Sequence, residues 1–271
     1  MKFSIITASF NPGDKLVNTV NSILNQTYED YEIIIKDGLS TDASLETLKE
    51  AEVMKTHLNN GKIQIISRKD QNVYDGMNQA LDYCSGEYIL FLNCGDLFCS
   101  EDVLEKVAQE IQNYSQPDNA IFYGNTYCNR TQVVVHSANK ITGFTCYRNI
   151  PCHQSCFYSR DLFLQKKYDT RLKIRADYDH FLWCFYEKKT QFYYMDILIA
   201  DYEGGGISES KENQKTDRDE HEAVIRRYMR RAEIIKYKLI MMLTLAPIRR
   251  RMAESEAFSQ IYHKIKCKIY R

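Results

Sequence analysis

No excess of either charge marks this chain: 36 acidic and 36 basic residues balance over 271 positions. That balance removes the electrostatic case for a nucleic-acid partner, whose phosphates reward a basic surface. No window reaches the uninterrupted apolar length of a membrane-spanning helix. No basic leader followed by a long apolar stretch opens the sequence, so no secretory signal is expected. Nine cysteines contain no C-x-x-C pair. Their odd number, and the position of Cys84 and Cys184 inside apolar segments, read as reduced thiols packed as small hydrophobes. Cys152 and Cys156 flank a strand-like run. Neither G-x-x-x-x-G-K-[ST] nor G-x-G-x-x-G follows the first strand, which disfavours kinases and dehydrogenases. There is no internal repeat and no low-complexity tract. The expected location is the cytoplasm, either free or peripheral on the inner face of the cell membrane.

What is present has the pattern of an α/β protein. The length suits one large domain, or one with an appendage, and a 44% hydrophobic fraction supplies a core. Phe3 to Ser9 is a β-rich run broken by Asn11-Pro12-Gly13. Leu16, Val20, Ile23 and Leu24 then form a helical stripe, with Asp14 as its N-cap. Tyr31 to Lys36 is a second strand, ending at Asp37-Gly38. Ser40-Thr41-Asp42 starts a helix continued by Leu45 and Leu48. Lys62 to Ser67 is a third strand, and Val73, Met77, Ala80, Leu81 and Cys84 mark the buried face of the next helix. Glu87 to Leu92 is a continuous apolar strand of the kind buried on both faces. A helix over Asp102 to Tyr114 follows. Such alternation predicts a parallel sheet with right-handed crossovers.

Beyond about Asn119 the pattern changes. Ala120 to Tyr127 and Gln132 to His136 predict a hairpin or mixed-sheet portion. Ser159 to Lys167 and Ala176 to Lys188 read as helical, Thr190 to Tyr202 as a strand, and Gly204 to Gly206 as a mobile loop or a plain linker. A long helical pattern runs from Asn213 to Leu245, rich in arginine and then apolar from Leu239 to Ile248. Arg249-Arg250-Arg251 and an amphipathic segment follow. A helix of this kind lies on an anionic membrane surface, or packs on the catalytic domain or on another subunit.

Parallel strands gather their carboxyl ends on one rim, where open α/β sheets bind ligands. Here that rim carries Ser9-Phe10-Asn11, Asp37-Gly38, Arg68-Lys69-Asp70 and Asn93 to Asp96. Two or three carboxylates with nearby cations suit a sugar or nucleoside diphosphate. Asp37 can accept hydrogen bonds from a base or ribose, and Asp96 can offer oxygen to Mg²⁺ or Mn²⁺. The simpler reading of Asn93 to Asp96 is an ordinary turn. His153 is a metal ligand, an acceptor contact or a structural histidine. Arg148, Arg171 and Arg175 are further cations, none of them singled out.

Ser4-Ile5-Ile6-Thr7-Ala8-Ser9-Phe10-Asn11, Asp37-Gly38-Leu39-Ser40-Thr41-Asp42, Asp70 to Asn78 and Leu92-Asn93-Cys94-Gly95-Asp96 occur in that order. Together they closely resemble the family-2 glycosyltransferases of GT-A fold. His153-Gln154-Ser155, Ala176-Asp177-Tyr178-Asp179 and Gly205-Gly206-Ile207-Ser208 extend the resemblance to about residue 210. It implies a GT-A domain over 1–210, with a nucleotide-binding half (1–118) and an acceptor-binding half (119–210). A helical extension, 211–271, would follow.

By the same resemblance, Thr7, Ser9 and Asp37 line the nucleoside pocket, and Asn11 and Asn93 belong to the substrate-binding set. Asp70, Tyr74 and Asn78 border the donor's ribose, diphosphate and sugar. Asp96 is the metal-binding member of the D-x-D motif, with Asn93 standing where many members carry a first Asp. His153 joins the substrate-binding set. Asp177 matches the catalytic base, although the carboxylate alone is equally a first-turn residue favoured by the helix dipole. Asp179, two positions on, would face elsewhere and brace the structure. The expected partners are a nucleotide-sugar donor, most often UDP-linked, and a glycan or lipid-linked acceptor. The rivals are a nucleotidyltransferase and a non-catalytic sugar-nucleotide or membrane-scaffold module.

Overall fold

The continuous apolar runs become strands covered on both sides. The computed structural model describes residues 1–51, 61–114, 118–206 and 210–244. β1 (Phe3–Ser9), β2 (Tyr31–Asp37), β3 (Ile63–Ser67) and β4 (Tyr88–Phe91) pair in parallel in the order β3-β2-β1-β4. The side-chain period of two splits them between two cores. Phe3, Ile5, Ile33, Ile35 and Leu90 pack with Leu16, Val20 and Ile23 of α1 (Lys15–Leu24) and Leu45 of α2 (Ser44–Glu50). Ile6, Ile34, Ile89 and Phe91 pack with Met77 and Ala80 of α3 (Val73–Leu81).

The remainder is mixed. β5 (Leu97–Phe98), α4 (Val103–Gln112), β6 (Ala120–Cys128), β7 (Val133–Val135) and α5 (Gly143–Arg148) are followed by β8 (Cys156–Ser159), α6 (Arg160–Gln165), α7 (Ala176–Trp183) and β9 (Gln191–Tyr202). The sheet continues β4-β8-β6-β9-β5, antiparallel except for the β6–β9 pair. β6 and β7 form the expected hairpin, with Thr126 opposite Val135. The chain then leaves the sheet for α8 (Gln214–Tyr228) and α9 (Arg231–Leu243). Val224, Ile225 and Met229 are buried in the same core as Tyr178 and Phe181 of α7.

Several local expectations need correcting. The run between Cys152 and Cys156 is a 3₁₀ turn over His153–Ser155, and β8 begins only at Cys156. The Ser155 N–H donates to the Cys152 carbonyl at 2.9 Å, which closes the turn and turns the polar side chains away from a ladder. Asp14 sits at the N-cap of α1 but makes no side-chain cap bond. The single long helix expected over 213–245 is two: Met229 and Arg230 are extended, Met229 is buried, and the Glu233 carboxylate accepts the Arg230 N–H at 3.1 Å to start α9. β5, two residues long, and α5, opened by a reciprocal Thr142–Thr145 capping box, were not foreseen. The cysteines among the described residues are free thiols, and Cys146, Cys156 and Cys184 are buried.

Among the described residues no helix is long and apolar enough to cross a membrane. Ile207 and Ser208, the apolar stretch beyond Thr244, Arg249 to Arg251 and the last amphipathic segment lie outside the described residues.

Candidate active site

The loop after β4 stays tied to its neighbours. The Thr7 hydroxyl donates to the Leu92 carbonyl at 2.9 Å, joining β1 to the end of β4. Buried Thr19 of α1 accepts the Gly95 N–H and donates to the Asp96 carbonyl, both at 3.0 Å. Gly95 has φ +102, a backbone conformation that favours glycine. The turn delivers the Asp96 carboxylate to the rim. Its Oδ1 accepts the Glu203 N–H at 3.1 Å and its Oδ2 accepts from Gln154 Nε2 at 3.0 Å. Asp96 is 5% exposed. Burial raises its pKa, and the Gln154 and Glu203 N–H donors offset only part of that rise.

Asp177 arrives from the first turn of α7. Its Oδ1 accepts from the Tyr178 N–H at 2.8 Å and the Tyr74 hydroxyl at 3.0 Å. Its Oδ2 lies 3.4 Å from His153 Nδ1. Asn93 Nδ2 lies 3.1 Å from His153 Nε2, and with the amide donating there the ring proton is assigned to Nδ1, facing Asp177. Burial pushes the Asp177 pKa up, but His153, the Tyr178 amide and Tyr74 together bring it below the ordinary value. The group is therefore ionised at neutral pH. Adjacent residues of one 3₁₀ turn thus serve both carboxylates, His153 reaching Asp177 and Gln154 reaching Asp96.

Asn11, Tyr74, Asn93, Asp96, His153 and Asp177 all line one cavity of about 620 Å³. Thr7, Ser9, Asp37, Asp70 and Asn78 do not line it. Asp37 is fully buried, and its carboxylate accepts from the Leu39 and Ser40 N–H groups and from the Ser67 hydroxyl at 2.7 Å. Asn11, at φ 46, accepts the Thr41 N–H at 2.7 Å, fastening the β1 loop to the loop after β2. Ser9 Oγ is buried without a hydrogen-bond partner. Asp70 pairs with Lys36 at 2.7 Å, and Asn78 exchanges hydrogen bonds with the Tyr168 backbone. Asp70 and Asn78 border a separate groove with Arg68, Lys69 and Lys167.

Two contributors were missed. Gln154 stands inside a quoted motif, but spacing does not reveal that it aims at Asp96. Glu203 lies 107 positions from Asp96, and its side chain pairs with Lys15 at 2.7 Å. No signal in the sequence joins those two segments.

Among the described residues no cluster of three or more His, Cys, Asp or Glu side chains would cage a metal ion. The residues present fit a different arrangement. Asp96 is a buried carboxylate that gains from a nearby cation, and Asn93 Oδ1 is a buried oxygen with no hydrogen-bond partner. Two hard oxygen donors, completed by phosphate and water, suit Mg²⁺ or Mn²⁺.

The sequence model of the family described as glycosyl transferase family 2 matches residues 4–172. The chain is similar to a PGL/p-HBAD biosynthesis glycosyltransferase of Mycobacterium tuberculosis, with 36% identity over 209 residues, 76% of this chain and 78% of the relative. In fold it is similar to S. aureus TarS 1–349 in complex with UDP-GlcNAc, at TM-score 0.66 and 17% identity over 95% of this chain and 74% of that one. It also matches the mannosyltransferase PcManGT from Pyrobaculum calidifontis in complex with GDP-Man and Mn²⁺, at TM-score 0.59 and 12% identity over 81% and 61%. At such identities the two structures speak for the fold alone. The family match over most of the sheet and the mycobacterial relative agree with the rim of carboxylates built on that fold: this chain belongs to glycosyl transferase family 2, on a GT-A fold.

Proposed function

We propose that the cavity carries an inverting, metal-assisted sugar transfer from a nucleoside-diphosphate sugar, with UDP the favoured nucleotide, to a hydroxyl of a glycan or lipid-linked acceptor. The observation that carries the reading is that Asp96 and Asp177 line the same cavity and are served by neighbouring residues of one turn. Asp177, held ionised, takes the proton of the acceptor hydroxyl. The new bond from that oxygen to the anomeric carbon forms on the face opposite the departing diphosphate, so configuration inverts. The bonding pair leaves on the diphosphate oxygen, and the proton ends on the Asp177 carboxyl. Asp96 and the Asn93 carbonyl oxygen would hold Mg²⁺ or Mn²⁺, whose charge offsets that growing on the leaving group.

The nucleoside end of the donor belongs at the carboxyl ends of β1 and β2. There Thr7, Ser9 and Asp37 shape the loops, Asn11 fastens them, and Phe10, 66% exposed, offers a face for a base to stack on. Asp70 and Asn78 border the donor side from the neighbouring groove. UDP-GlcNAc in the TarS complex supports the choice of nucleotide, and Mn²⁺ in the PcManGT complex supports the ion. Ile235, Leu239, Met242 and Leu243 of α9 are exposed beside Lys236 and Lys238, which supports peripheral attachment to an anionic inner membrane face.

Hydrolysis of UDP-GlcNAc with Mn²⁺ tests the catalytic reading. Wild-type protein is expected to release UDP, and Asp177→Ala to lose at least about 100-fold in kcat. Binding without release by the wild type would favour a non-catalytic module. Release undiminished in Asp177→Ala would remove the base.

A further inference from the structure

The family match ends at residue 172, and the segment that introduces Asp177 begins at the next one. That segment is held from outside the matched region. The Glu220 carboxylate of α8 accepts three successive backbone N–H groups: Lys173 at 2.8 Å, Ile174 at 2.9 Å and Arg175 at 3.0 Å. Consecutive amides converging on one anion form a nest, an arrangement that fixes a loop by satisfying donors no helix ladder reaches. One turn earlier on the same face of α8, Asp217 pairs with the Arg175 guanidinium at 2.7 Å. Val224, one turn beyond Glu220, is fully buried and anchors that face to the core.

The peptide between Ile174 and Arg175 is engaged at both ends. Its N–H donates to Glu220, and its carbonyl accepts from the Tyr74 hydroxyl at 2.6 Å. The same hydroxyl lies 3.0 Å from Asp177 Oδ1, so its one proton serves both acceptors. An unbroken hydrogen-bond chain therefore runs from Glu220 through one peptide and Tyr74 to the carboxylate in the cavity. The bond to Glu220 holds this peptide in one orientation. That orientation decides where the buried Tyr74 hydroxyl sits.

We infer that Glu220 is a positioning residue for the transfer, aligning the Tyr74 hydroxyl and through it Asp177. The first helix of the C-terminal extension is then a working part of the site. The inference rests on the reading of Asp177 as the base, and the test separates the two.

Glu220→Ala, Glu220→Gln, Tyr74→Phe, the Glu220→Ala/Tyr74→Phe double variant and Asp177→Ala are compared in the full chain. The first readout is UDP-GlcNAc hydrolysis with Mn²⁺. The second needs no donor: the pKa of the Asp177 carboxyl, followed by ¹³C NMR. Displacement of a reacting group by less than an ångström is expected to cost kcat about tenfold in Glu220→Ala, with KM for UDP-GlcNAc within about twofold. Glu220→Gln, which keeps an acceptor oxygen, is expected to recover most of that loss. Because the effect passes through one hydroxyl, Tyr74→Phe added to Glu220→Ala is expected to cost less than about twofold more. The Asp177 pKa is expected to rise in both single variants and no further in the double.

Independent losses that multiply, together with additive pKa shifts, would overturn the positioning role and leave Glu220 as a structural staple. So would an unchanged kcat and Asp177 pKa in Glu220→Ala. Full activity in Asp177→Ala would instead sink the base assignment. If the wild type leaves UDP-GlcNAc intact, the NMR cycle alone decides.

Discussion

Asp96 and Asp177 are two carboxylates in one cavity whose surroundings push them apart. Burial raises the first, while hydrogen bonds bring the second below its ordinary value. Separated pKa values mark separated roles: one group gains from a cation, and the other stays free to accept a proton. His153 is the largest of the influences lowering Asp177, and it opposes a burial effect that would otherwise dominate. His153→Gln therefore has a signed outcome. Without the ring, the folded-state pKa of Asp177 rises, so the base is protonated at a higher pH and its activity is lost sooner on acidification. The acid limb of kcat/KM for UDP-GlcNAc hydrolysis is expected to move to higher pH. A limb left in place would show that His153 does not act on Asp177.

At the scale of the element, α7 keeps two carboxylates on different sides. Asp177 faces the cavity, and Asp179, with its side chain 1% exposed, meets Lys166 at 2.9 Å beyond α6 and Arg227 at 2.5 Å on α8. The two cations are 27% and 43% exposed, so water can take them back if the carboxylate is lost. The carboxylate has no such recourse. Stranding it should cost more than removing it. Urea unfolding of Lys166→Met/Arg227→Met is accordingly expected to show a loss of about 3–5 kcal/mol, against about 1–2 kcal/mol for Asp179→Asn. The reverse order would mean that the network is hydrated. That Asp177 and Asp179 part company follows from helical spacing and was readable in advance. The break between α8 and α9 was not: Met229 fits the apolar stripe, yet it is extended and buried in the same core as Phe181 of α7. The aim of Asp37 was equally hidden. By resemblance its motif is expected to meet the nucleoside, but Leu39, at φ 66, folds the loop back so that the Leu39 and Ser40 amides cover the carboxylate.

Across the whole molecule the parallel half of the sheet separates chemistry from stability. The buried strands were legible from their apolar runs, and so was the gathering of their carboxyl ends into a rim. The opposite, amino ends carry a polar cluster that no motif marked. Glu32 of β2 is 4% exposed; it accepts from the Ser4 hydroxyl of β1 at 2.6 Å and the Ser85 hydroxyl before β4 at 2.7 Å, and pairs with Lys2 at 2.7 Å. Burial alone would raise its pKa, but Lys2, Ser4 and Ser85 lower it from 4.5 to about 2. A carboxyl whose folded pKa lies below its unfolded one stabilises the fold above the unfolded value and loses that contribution as pH falls towards the folded one. The window here runs from 4.5 down to about 2. At neutral pH the shift corresponds to about 3 kcal/mol, falling by more than half by about pH 3. Glu32→Gln is thus expected to unfold at lower urea than the wild type at neutral pH, with the gap closing as the pH approaches about 2. Its kcat for UDP-GlcNAc should stay within about twofold of wild type, because the carboxyl-end loops do not touch it. A gap that held constant down to about pH 2 would show that Glu32 stabilises through packing and neutral hydrogen bonds, its charge contributing nothing.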